Sequence, residues 1–241
     1  MQTVRRLYLY LMSGISLGVL LVGLIILLST AFHAAGLGIG ERLDGEPDRQ
    51  ALSLAAALIV VGLLVWAVHW LLVERSLRPD NPRHDEERAA PERALYLTLV
   101  LAALLVFGVL AGIELLERVT TRIFGFRPEN DFGFGSDSGA SLATVIVTGS
   151  AWLYHVAIRQ RDLRAGPLTG AAAWMPRAYL YGATLAGLIF TAYNIGTLLG
   201  AATTGRVIDN LGLSPQRQAA VAIAGIVGWG IVWLGHWWYA T

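Results

Sequence analysis

Three histidines each follow a tryptophan by three residues: Trp66 and His69 in "WAVH", Trp152 and His155 in "WLYH", Trp233 and His236 in "WLGH". In a helix, positions three apart share a face, so each pair makes one patch of indole and imidazole. Earlier in the chain from each stands a Tyr-Leu pair, at Tyr8, Tyr96 and Tyr179, with Arg6, Arg93 and Arg177 two or three residues ahead. These residue types suit three chemistries. Neutral imidazole ligates metals, and two imidazoles on facing helices could ligate a haem. Arg beside Trp or Tyr can hold an anionic lipid headgroup. Trp, Tyr and Arg also anchor helices at a membrane–water boundary, because each has an apolar body and a polar tip. Anchoring and packing is the expected role of these twelve residues, with a lipid or ligand layer as the sharper one. Anchoring alone does not require His at a fixed offset three times. No catalytic residue, resident metal or cofactor is expected.

Other chemistry is excluded by composition. The chain has no cysteine, and every basic residue apart from histidine is arginine. Thiolate metal sites and cysteine nucleophiles are therefore absent, as are Schiff-base lysines and a phosphate-loop lysine. The apolar runs contain no acid pair at mid-depth and no row of arginines, and no proline is expected within them, which counts against an ion-coupled transporter. Asn194 lies deep in the fifth run beside Tyr193. A polar residue buried in a membrane is a functional pointer by default; an interhelical hydrogen bond is its expected role.

The elements that must position these residues follow from the apolar runs. The chain is 55% hydrophobic and 15% charged, against roughly 25% charged in soluble domains, and its mean hydropathy is +0.57. About 20 apolar residues as helix cross a bilayer core, and six windows reach that length: about 7–32, 52–73, 94–117, 140–158, 178–201 and 218–239. The fold class expected is all-α, a polytopic membrane protein with six transmembrane helices. The first run follows Arg5 and Arg6 as a signal peptide would, but it exceeds the roughly 7–15 residues of a signal core, so a retained helix is expected.

The spacing between motifs is regular. Tyr8-Leu9 precedes Leu27-Leu28, Tyr96-Leu97 precedes Leu115-Leu116, and Tyr179-Leu180 precedes Leu198-Leu199, with the same gap each time. Arg75-Ser76-Leu77-Arg78 and Arg161-Asp162-Leu163-Arg164 follow the first two histidines at one offset. This predicts three tandem helical hairpins, 1–78, 79–164 and 165–241, in one membrane domain with a pseudo-threefold arrangement. Two spans per unit put all the Tyr and His residues at one end. Arginine is denser there, in 74–93 and 159–177, and the positive-inside rule then predicts N- and C-termini in the cytoplasm. The linker "ERSLRPDNPRHDEERAAPER" is expected to be a solvated connection, and "FGFRPENDFGFGSDSG" an ordered turn at the opposite end.

Across "RRLYLYLMSGISLGVLLVGLIILL" and "AALIVVGLLVWAVHWLLVER" the chain resembles a bacterial membrane family, domain of unknown function 5671, whose unit looks like two hydrophobic helices. The resemblance is best in the first unit. It implies a bacterial plasma membrane protein and supplies no activity and no functional residues. The function expected is a non-enzymatic integral membrane protein, either an accessory subunit of a membrane complex or a lipid- or amphiphile-binding scaffold. Its expected partners are membrane lipid and other membrane subunits, with no nucleic acid. The alternatives are a transporter or pore around the pseudo-threefold axis, and haem or metal binding through the Trp-x-x-His layer.

Overall fold

The computed structural model describes residues 2–36, 49–123, 138–166, 168–204 and 215–240, excepting the side chains of 121–122, 171, 204 and 215–216. The loop 124–137 and the segments 37–48 and 205–214 lie outside the described residues, so the turn expected in "FGFRPENDFGFGSDSG" falls mostly outside them. The elements are α1 (Gln2–Ala34), α2 (Arg49–Ser76), α3 (His84–Arg88), α4 (Pro91–Ile123), α5 (Ser138–Arg164), α6 (Gly170–Thr204) and α7 (Pro215–Ala240). All but the short α3 are long and apolar enough to cross a membrane, and no strand occurs among the described residues. In lipid a backbone must satisfy its own hydrogen bonds, so long apolar runs become helices. Pro91 and Pro215 open α4 and α7, where a missing N–H costs nothing. α6 starts at Gly170, whose φ is +57°, and continues through Pro176. The fifth span therefore begins earlier than 178 and does contain a proline, in its second turn, a break that membrane helices tolerate where neighbouring groups satisfy the freed backbone.

α1 packs on α2, α4 on α5 and α6 on α7. Each pair is antiparallel, since a tyrosine near the start of one helix meets a histidine near the end of the next. Between the pairs, α1 packs on α4 and α5, and α4 packs on α6 and α7. Among the described residues no comparable packing joins the first pair to the third. The three pairs thus form a row with the second in the middle, not the closed ring that a threefold axis requires. The physical reason lies on the free faces: α2 leaves Val60, Val61, Leu64 and Val68 exposed and α6 leaves Leu185, Ile189 and Tyr193 exposed, surfaces suited to lipid.

Small residues set how closely the helices approach, as is usual where lipid removes the hydrophobic drive between helices. A Cβ added to Gly62 would lie 2.6 Å from the backbone nitrogen of Leu20, and one added to Gly108 would lie 2.9 Å from Thr148 Oγ1. Leu20 and Gly108 sit at one offset from their tyrosines, Gly62 and Thr148 at one offset from their tryptophans. The crossing point is the same, with the glycine on opposite partners. In the third pair that place is taken by Thr191 and Trp229. Trp229 stacks on Phe190 with centroids 4.6 Å apart, and the close backbone approach lies one turn away, at Gly187 against the backbone of Trp233.

The linker after α2 is not simply solvated. Arg6 reaches from α1 to Glu86 Oε1 at 2.7 Å and Glu87 Oε2 at 3.0 Å on α3, and Arg88 of the same short helix is buried. Glu86, Glu87 and Arg88 thus find partners on other helices, while Arg75, Arg78, Asp80, Arg83 and Asp85 stay exposed as a solvated loop would have them.

Candidate functional site

The repeated residues meet at one end of the bundle, the tyrosine end. The Nδ1 atoms of His69, His155 and His236 lie 2.7, 2.8 and 2.8 Å from the carbonyl oxygens of Val65, Ala151 and Val232, four residues back on their own helices. A carbonyl only accepts, so Nδ1 carries the proton and Nε2 offers a lone pair. That lone pair accepts the hydroxyl of the facing tyrosine: Tyr8 at 3.4 Å, Tyr96 at 3.3 Å and Tyr179 at 3.2 Å. The rings meet at steep angles, with centroids 5.6, 6.0 and 5.6 Å apart. The fixed offset now has a cause. Each imidazole bridges a carbonyl of its own helix to the tyrosine of the neighbouring one, clamping the two helix ends together.

The tryptophans do more varied work. Trp152 Nε1 donates to Tyr179 Oη at 3.0 Å, tying the second pair to the third. Trp66 stacks on Trp70 at 6.2 Å with planes 7° apart; its own Nε1 is buried without a hydrogen-bond partner among the described residues. Trp233 supplies the backbone against which Gly187 closes. Trp70, Tyr10 and Tyr154, none of them among the twelve expected residues, complete an aromatic cluster around Tyr96 and His155. Trp70 Nε1 donates to Tyr154 Oη at 2.8 Å, and its ring lies 5.6 Å from that of Tyr96 and 6.2 Å from that of His155.

The three imidazoles do not converge. Each turns to its own helix pair, both nitrogens engaged, and among the described residues no three His, Asp or Glu side chains come together as a metal site. The shared centre imagined for the Trp-x-x-His layer is not formed.

The three arginines differ. Arg6 is held by α3, as above. Arg177 is exposed. Arg93 is 1% exposed and donates from Nε to Asp162 Oδ2 at 2.6 Å and from Nη2 to Asp162 Oδ1 at 3.2 Å, the two-pronged geometry that fits guanidinium to carboxylate. Its Nη1 reaches Tyr10 Oη at 3.5 Å, and its guanidinium lies 6.0 Å from the Trp70 ring centroid. Outside this pair, Arg161 grips Glu74 with contacts of 2.9 and 3.0 Å. Asp162 and Glu74 were missed by sequence reasoning, although one signal was present: Asp162 stands where the first Arg-x-Leu-Arg has Ser76, a departure from the pattern that adds one charge.

Asn194 does not make the interhelical bond expected of it. It is half-buried, and its Nδ2 donates to Phe190 O of its own helix at 2.7 Å. Its side chain lies against Gly225 of α7, which offers space but no side-chain partner.

A family described as Domain of unknown function (DUF5671) matches residues 6–149. The chain belongs to this family. The DUF5671 match runs from α1 into the first half of α5, which is wider than a two-helix unit. It takes in Arg6, Tyr8, Trp66, His69, Arg93 and Tyr96 and stops short of Trp152. No curated protein and no solved structure matches the chain.

Proposed function

We propose that this DUF5671 member is a non-enzymatic, multi-pass protein of the bacterial plasma membrane that serves as a lipid-binding scaffold or an accessory subunit of a membrane complex. The observation that carries this reading is how the tyrosine end spends its polar groups. Tyr with His and Arg93 with Asp162 use their hydrogen bonds on one another, while Leu, Val and Ile cover the outside of the helices. Groups satisfied in this way hold helices together; a catalytic site keeps donors and acceptors open for substrate. The recurrence of one Tyr–His clamp supports three tandem copies of one helical hairpin. The density of arginine at the tyrosine end supports cytoplasmic termini.

Native mass spectrometry of the protein extracted with its surrounding membrane tests the role. Retained lipid or a stoichiometric membrane subunit is expected; release of the bare chain under conditions that keep its fold would overturn the reading. Orientation has a clean test, because the chain has no cysteine. Asp80→Cys should resist an impermeant thiol reagent added outside intact cells, and Ser136→Cys should react. The reverse pattern would place the termini outside.

A further inference from the structure

A cleft opens at the tyrosine end between the second and third helix pairs. Its polar lining is Arg88, Arg93, Arg159, Asp162 and Thr98, and Leu97, Leu163, Leu168 and Pro176 supply apolar walls. The charges do not balance. Asp162 is the only acid among the described lining residues; Arg93 donates to both its carboxylate oxygens, and Arg161 Nε lies 3.7 Å from Oδ1. Arg88 spends Nη1 on two backbone carbonyls, Asp162 O at 2.8 Å and Gly166 O at 2.9 Å. The one acid near it is Asp85, with Oδ1 at 3.6 Å from Nη2, on the same short helix and well exposed. Arg159 donates from Nη2 to Pro176 O at 3.2 Å and lies 5.6 Å from the Tyr179 ring centroid. No acidic side chain within ion-pairing distance of Arg159 is found among the described residues.

Two donors are left over in the same place. Arg88 Nε and Arg159 Nε are both buried and have no hydrogen-bond partner among the described residues, and Arg88 as a whole is only 8% exposed. Buried N–H groups of a guanidinium are costly to leave unmade, and a buried charge needs a counter-charge. Guanidinium groups suit phosphate in particular, since their planar donors match its oxygens. The apolar walls and the position at the end of membrane-length helices fit an acyl-bearing ligand.

We propose that this cleft binds a phosphate-bearing anion, its phosphoryl oxygens meeting Arg159 and Arg88, with the headgroup of an anionic phospholipid as one source and free phosphate as the other. The proposal rests on the scaffold reading above and names its ligand. Arg93 is not part of the anion site, because Asp162 already neutralises it.

The test compares wild-type protein with Arg159→Gln and with Arg177→Gln, a change at an exposed arginine on the next helix. Thermal unfolding is followed in nanodiscs of phosphatidylcholine alone and with phosphatidylglycerol added, and in detergent with and without inorganic phosphate. Wild type and Arg177→Gln should be stabilised by phosphatidylglycerol, by phosphate or by both, and the apparent affinity should fall roughly tenfold or more in Arg159→Gln. The arm that responds identifies the source. Equal stabilisation of Arg159→Gln, or none of wild type by either anion, overturns the proposal. If Arg159→Gln does not fold, the wild type alone decides through phosphorus NMR, where a bound phosphate resonance must appear. Failure of this site leaves the scaffold reading standing if native mass spectrometry still finds retained lipid or a subunit; a bare chain there sinks both.

Discussion

The Tyr96–His155 clamp and the Tyr8–His69 clamp make the same two hydrogen bonds in very different places. His155 is fully buried and Tyr96 nearly so, walled by Trp70, Tyr154 and Tyr10. Tyr8 is 54% exposed at the end of the row, and His69 is half-buried. Local sequence fixes the bond, because the His offset and the helix geometry are the same. Place in the row fixes what the bond is worth, because a donor lost in the middle leaves a buried acceptor unmet, whereas one lost at the edge is replaced by water or a headgroup.

The strongest way to break the middle is to unpair its charge. Asp162→Asn takes from buried Arg93 its two-pronged counter-ion and leaves only the longer contact to Glu74; removing one partner of a buried pair costs about 3–5 kcal/mol. Unfolding in detergent should register a loss of that size, and a loss below about 1 kcal/mol would mean that Glu74, 3.9 Å from Arg93 Nη2, takes over the pairing. Next comes Tyr96→Phe, which strands His155 Nε2 and should cost about 1–3 kcal/mol. Tyr8→Phe sharpens the comparison: its effect should stay within about 0.5 kcal/mol, and equal losses at the two tyrosines would show that burial does not govern the clamps. Combining Tyr8→Phe with Tyr179→Phe should give the sum of the single effects to within about 0.5 kcal/mol, because these clamps sit on the first and third helix pairs, which share no extensive packing; a larger discrepancy would point to a ligand or contact joining them. A comparably small effect is expected for Arg161→Gln. Its pairing with Glu74 is about half exposed, so it should cost under about 1 kcal/mol and less still in high salt.

The third helix pair sharpens the same point from another side. It has the clamp, Tyr179 with His236, but not the crossing point of the other two pairs, since Trp229 fills the position held by Gly62 and Thr148. With that bulky residue in place the close backbone approach lies a turn away, at Gly187, and the clamp is still made. The clamp depends on two side chains and one carbonyl; the crossing depends on the volume of every residue between the helices.

Much was legible from residue order alone. Six apolar runs dictate six long helices, because the backbone has no other way to satisfy itself in lipid, and the recurring Tyr and Trp-x-x-His marked the residues that meet at one end of the bundle. A period of residues along a helix is local information, and local information survives in sequence. What the sequence did not reveal was which acid answers which arginine, that α3 and its charges are drawn into the packing, that Asn194 bonds to its own helix, and that the pairs form a row and not a ring. Each of these depends on which faces of α1, α4, α6 and α7 touch, a choice made by packing among residues far apart in the chain. Arg6, Arg93 and Arg177 look alike at their three positions; only the tertiary structure gave one a strap of glutamates, buried another against Asp162, and left the third in the open.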